Sequence, residues 1–182
     1  MKNEKFTLTE TYRIVKKTKL YQIKAIRDFG DVKRNELGGF VEKEDNLCHL
    51  NNCWIYESAK VSGDAKVTGN AQIRSHAMVF GDAEVFGNAE VSGNAEVFGN
   101  AQVGSDAMVG GNAKICDNAV ISGDAKVLWN ATISGNATIS GNAKIAGYAQ
   151  ISGDISVSGT AKISGTIVVK GTARFSGNAE IN

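Results

Sequence analysis

The chain has no proline in 182 residues, although it carries 21 glycines. Ordinary proteins hold about 5% Pro and about 7% Gly, so the two counts depart in opposite directions. Glycine-rich disordered chains and collagen both carry proline, and both are excluded. A backbone without proline suits a fold in which nearly every N–H serves a hydrogen-bonded ladder. Cysteine is scarce: Cys48, Cys53 and Cys116. An odd count without framework spacing reads as reduced thiols in a reducing compartment. Four residues separate Cys48 from Cys53, and no second pair completes a zinc site. An excess of either charge is lacking too, with 20 basic and 19 acidic residues and a net charge of +1. This balance argues against nucleic acid as a partner, which calls for a concentrated basic face. The polar start MKNEKFTLTETYRIVKK has no apolar signal region, and no run approaches the roughly 20 apolar residues of a membrane helix. No membrane partner is expected, and the predicted location is cytoplasmic. One domain with a small appendage is the default at this length.

What is present is a repeat. From Ile55 to Ile181 an apolar residue recurs every six positions, 22 times without insertion or deletion, and only Phe175 is neither Ile nor Val. Two residues earlier stands Ala in 19 of the 22 hexads; Cys53, Ile155 and Ile167 are the exceptions. Two residues later stands Gly in 16 of 21, and Asn or Asp follows in 15 of 21. The unit is A-x-[IV]-x-G-[ND]. Residues two apart in a strand share a face, so Ala and Ile/Val point inward and the polar x residues outward. Gly-Asn or Gly-Asp makes the bend. Helix is excluded, because a period of six keeps no helical face and the glycines destabilise it. A lone hexad cannot bury its apolar side, so identical units must stack as a solenoid.

These hexads resemble the hexapeptide-repeat family. The resemblance implies an all-β, single-stranded left-handed parallel β-helix with three hexads to each triangular coil, hence about seven coils. Handedness comes from the resemblance alone. Residues 18 apart then stack, giving corner columns Asp64–Asp82–Asn100–Asn118–Asn136–Asp154, Asn70–Asn88–Asp106–Asp124–Asn142 and Ser58–His76–Asn94–Asn112–Asn130–Tyr148. Stacked Asn side chains can hydrogen-bond along a column. The glycine falls one residue later than in the usual family signature, which weakens any transfer of acyltransferase activity.

Residues 1–52 lack the repeat and form the predicted cap; residues 53–182 form the β-helix. Tyr12–Val15 and Leu20–Ile26 read as a hairpin joined by Lys16–Lys19. Asp28–Val32 and Gly38-Gly39-Phe40-Val41 read as turns leading into the solenoid. The run Ala25–Val32, then Gly39-Phe40-Val41, then Cys53-Trp54-Ile55-Tyr56 ahead of the repeats, resembles YdcK-type β-solenoid proteins over the whole chain. That resemblance implies an N-terminal cap on a left-handed β-helix and carries over no catalytic residue. At the other end Ile155, Ile167 and Phe175 enlarge the inward side chains and read as interior plugs. The unprotected last coil is a second candidate edge for another chain.

Chemistry-bearing residues are few. His76 occupies an Asn/Asp corner slot and is the sole weak candidate for a catalytic base; with His49 the chain has two histidines, too few for a three-His metal site. Phosphate-loop spacing is absent, and no cofactor or metal is expected. One surface stands out. Outward slots that are mostly polar elsewhere hold Met78, Phe80, Phe98 and Cys116 on one face, with Phe86 on the adjoining face. Phe80 and Phe98 are 18 apart and should stack. Trp129 takes a Gly slot and Tyr148 an Asn slot, as further contact points. The favoured function is a non-enzymatic scaffold or binding protein that self-associates, as a trimer or dimer. The alternatives are an acyltransferase-like enzyme with a site at a subunit boundary, and a filament that grows end to end.

Overall fold

The structure, a computed structural model, describes residues 4–182. Each hexad contributes a two-residue strand such as Lys60–Val61, Met78–Val79 or Glu96–Val97. Each strand pairs in parallel with the strand three hexads further along: Lys60 with Met78, Met78 with Glu96, Glu96 with Lys114. Three such stacks form three faces. The first carries Val61, Val79, Val97 and Ile115 inward; the second Val67, Val85 and Val103; the third Ile55, Ile73, Val91 and Val109. The architecture matches a left-handed parallel β-helix.

The inward rows are the core. Every Ala and Ile/Val of the repeat from Ala59 to Ile163 is buried, as expected from the two-residue alternation. Burying a Val or Ile side chain contributes about 1.5–3 kcal/mol, so the stacked rows dominate stability. Corners turn on a left-handed residue. Gly135, at φ +69°, shows why glycine fits: a Cβ there would lie 2.6 Å from the backbone nitrogen of Gly153 in the next coil. The Asn columns form the expected ladders. Asn100 donates to Asn118 (3.0 Å), Asn118 to Asn136 (3.0 Å) and Asn136 to Asp154 (2.8 Å). Asn88 likewise donates to Asp106 at 2.8 Å. A carboxylate only accepts, so Asp fits at the receiving end of a ladder.

In the head, β1 (Phe6–Val15) and β2 (Thr18–Ala25) form the expected hairpin, with a tighter turn than the spacing predicts. Lys16 and Lys17 make it alone, at φ +46° and +72°. Asp28–Val32 is a turn, closed by reciprocal Phe29–Val32 backbone bonds of 3.1 and 2.9 Å. Gly38-Gly39-Phe40-Val41 is a strand instead of a turn: β3 (Leu37–Val41) pairs antiparallel with β2 and parallel with the solenoid, Val41 beside Val61. The two glycines serve close approach. A Cβ on Gly38 would sit 2.7 Å from Ile23, and one on Gly39 would sit 2.5 Å from the Ala59 carbonyl oxygen. Leu47 pairs with Val67 in the same way, so residues of the head start the columns and the solenoid has about eight coils. On the outside of the third face the head covers an aromatic cluster. Trp54 is fully buried, with Phe6 and Phe29 edge-on at 6.3 and 5.3 Å. Near the other end Ile155 is buried where other coils have Ala, and Ile167 and Phe175 pack half-buried against the core. There the strands Gln150–Val157 and Val168–Phe175 run straight through a corner in register.

Candidate functional site

The hairpin leans across the first face instead of standing clear of it. Leu20 of β2 is buried, the Arg13 guanidinium lies 4.4 Å from the Phe40 ring centroid, and Lys16 Nζ lies 5.5 Å from that of Phe80. Between hairpin and face runs a cleft of about 390 Å³, floored by Met78 and Phe80, walled by Val15, Lys16 and Leu20, with Glu42 and Lys60 at its polar side. Burial, reinforced by the Arg13 charge, lowers the Lys60 pKa below its usual range. Phe80 and Phe98 stack as their spacing of one coil predicts, with centroids 4.9 Å apart and planes 2° from parallel. Both rings are half-buried. Cys116 continues the column, and its thiol pKa is raised by burial and by the Asp117 charge. Glu96 and Lys114 form an ion pair beside the aromatic stack, 3.7 Å apart.

The remaining candidates lie apart from this cleft. Phe86 is on the second face, where its ring covers Gly104: a Cβ there would lie 2.3 Å from the ring. The sequence places Phe86 one corner away from Phe80 but gives no sign of this intramolecular partner, which is an empty slot one coil further on. Trp129 and Tyr148 sit in successive coils at the corner after the third face, 65% and 62% exposed. His76 is exposed at the same corner and, among the described residues, its ring makes no hydrogen bond. Nor do the described residues hold a cluster of three or more His, Cys, Asp or Glu that could bind a metal.

The head contains a polar arrangement that carries no repeat or motif. Lys5 is fully buried, its Nζ donating to the Cys53 carbonyl oxygen (2.7 Å) and contacting Cys53 Sγ (3.1 Å). Burial lowers the Lys5 pKa and raises that of the Cys53 thiol. His49 stacks on Phe6 at 4.3 Å, accepts from the Lys5 backbone N–H at Nδ1 (3.2 Å) and lies 2.8 Å from Glu44 at Nε2. Both ring nitrogens are thus engaged, which makes His49 a pin between the first residues and the first coil and leaves it no free site for base chemistry.

A scan against protein-family models finds no match, and a search of curated proteins finds no significant relative. No helix among the described residues is long and apolar enough to cross a membrane.

Proposed function

We propose that the chain is a cytoplasmic, non-enzymatic β-solenoid scaffold of the YdcK type that self-associates through its first face. The observation that carries this reading is the coplanar, half-buried Phe80–Phe98 stack beside the hairpin cleft. Outward slots on a solenoid face are ordinarily polar, so a run of Met78, Phe80, Phe98 and Cys116 leaves apolar area that a partner would cover. The partner proposed is a second copy. The rigid face presents flat rings at its centre and a charged rim of Lys60, Glu96 and Lys114, the usual plan of a protein interface.

Sedimentation velocity across a concentration series tests it. Wild type should sediment as a dimer or trimer, and the Phe80→Ser/Phe98→Ser variant as a monomer with an unchanged circular dichroism spectrum. A monomeric wild type, or a double variant of unchanged mass, overturns the assignment.

A further inference from the structure

On the third face Lys126, Lys144 and Lys162 occupy one outward column and pair in register, Lys126 with Lys144 and Lys144 with Lys162. Adjacent strands lie about 4.8 Å apart, so three like charges are held in line, an unfavourable arrangement without counter-charges. The column continues to Glu180 beside Lys162, and Asp124 lies two residues before Lys126. Among the described residues none of the three lysines makes an ion pair within 4.0 Å. Lys144 has lysines on both sides.

Beside this column stands Trp129. Its slot holds Gly93, Gly111, Gly147 and Gly165 in neighbouring coils, and Trp129 adopts the same left-handed backbone at φ +64°. A bulky residue in that conformation is strained, and such strain persists where something else is served. The side chain is 65% exposed, so packing does not explain it. Trp129 instead walls a depression of about 230 Å³ with Lys144, Ala146, Lys162 and Ser164. Lys126, Lys144 and Lys162 also line a second, shallower depression of about 560 Å³ on their other side, bordered by Asp106, Asp124 and Asn142.

We propose that this face binds an acidic saccharide, with a sugar ring against Trp129 and its carboxylate between Lys144 and Lys162. The aromatic wall offers a flat apolar surface to the C–H face of a ring, and the lysine row offers charge to an anion. The single aromatic wall decides between saccharide and nucleic acid. Single-stranded nucleic acid stacks successive bases on several aromatic side chains, whereas Trp129 is, among the described residues, the one aromatic residue lining its depression and suits a single ring. Asp124 and Asn142 offer acceptors to sugar hydroxyls. This surface is separate from the first-face interface and stands without it.

The two tryptophans provide the readout, because Trp54 is fully buried and Trp129 is exposed. Titration of the full chain with tetragalacturonate at low salt should change Trp129 emission saturably. Calorimetry should give an affinity that falls about tenfold or more in Trp129→Gly and again in Lys144→Gln/Lys162→Gln, the scale of a lost charge-assisted contact. Trp129→Gly restores the repeat residue, so its Tm should equal or exceed that of wild type, which separates lost binding from lost folding. The methyl-esterified oligomer should bind more weakly than the acid. No saturable binding, an affinity unchanged in Trp129→Gly, equal binding of the ester, or tighter binding of oligothymidylate than of the uronate each overturns the proposal.

Discussion

Tyr56 ties head to solenoid through one atom. Its hydroxyl donates to Asp31 Oδ1 at 2.6 Å, while the Arg74 guanidinium covers its ring at 3.9 Å. Burial, and next the hydrogen bond to Asp31, raises the phenol pKa far above the ordinary value of 10.0. The native state therefore keeps this proton at a pH where the unfolded chain releases it. The stabilisation is complete below the ordinary phenol pKa and is lost progressively as pH rises beyond it. Urea melts from neutral pH to above pH 10 should show wild-type stability falling over the alkaline range, with a shallower fall in Tyr56→Phe. At neutral pH that variant should lose about 0.5–1.5 kcal/mol, the net worth of one hydrogen bond; an unchanged alkaline slope would refute the assignment. At this scale the inward side chains and Asn ladders of the solenoid were legible, because one residue type recurs at one spacing. Lys5 was not: its partners Leu50, Asn51 and Cys53 lie far along the chain, in a stretch without period.

The hairpin shows how an element can be readable in type and unreadable in placement. Its β-branched and aromatic runs mark the two strands, but the turn carries two lysines where Asn-Gly is the favoured pair. Left-handed backbone costs a non-glycine residue roughly 1–2 kcal/mol. Against this stands the contact of Lys16 with Phe80, worth about 0.5–1 kcal/mol at an exposed site. The strain is the larger quantity. Replacing Lys16-Lys17 by Asn-Gly should raise stability by about 1 kcal/mol in urea denaturation, and a fall instead would show that the lysine contact with Phe80 dominates. β3 was hidden for a related reason. Its two glycines mimic a turn signal, yet they permit strand-to-strand approach, and its Val41 pairs with Val61 at an offset longer than the three hexads of the repeat. The same limit applies to the first-face cleft. Column arithmetic places Phe80 under Phe98, but nothing in it says that the hairpin folds over them.

Across the whole molecule the chain repeats twice over. The core repeats with every hexad, while faces and columns repeat with every third, so interior and surface tolerate different changes. Removing residues 101–118 deletes one coil, joins Asn100 to Ala119, and brings Asn100 beneath Asn136. This variant should remain folded by circular dichroism and resist proteolysis. Removing residues 101–103 breaks the alternation of inward and outward side chains and should expose the following coils to protease; equal resistance of the two deletions would contradict this account. Each coil contacts chiefly its neighbours, so stability is a sum of local interfaces. The cluster in which Phe6 and Phe29 of the head close on Trp54 of the first hexad then bears on synthesis. The head emerges from the ribosome before any hexad, as N-terminal parts do. It settles once the first hexads supply Trp54 and the partner of Val41, and each later coil docks as its own three hexads become free.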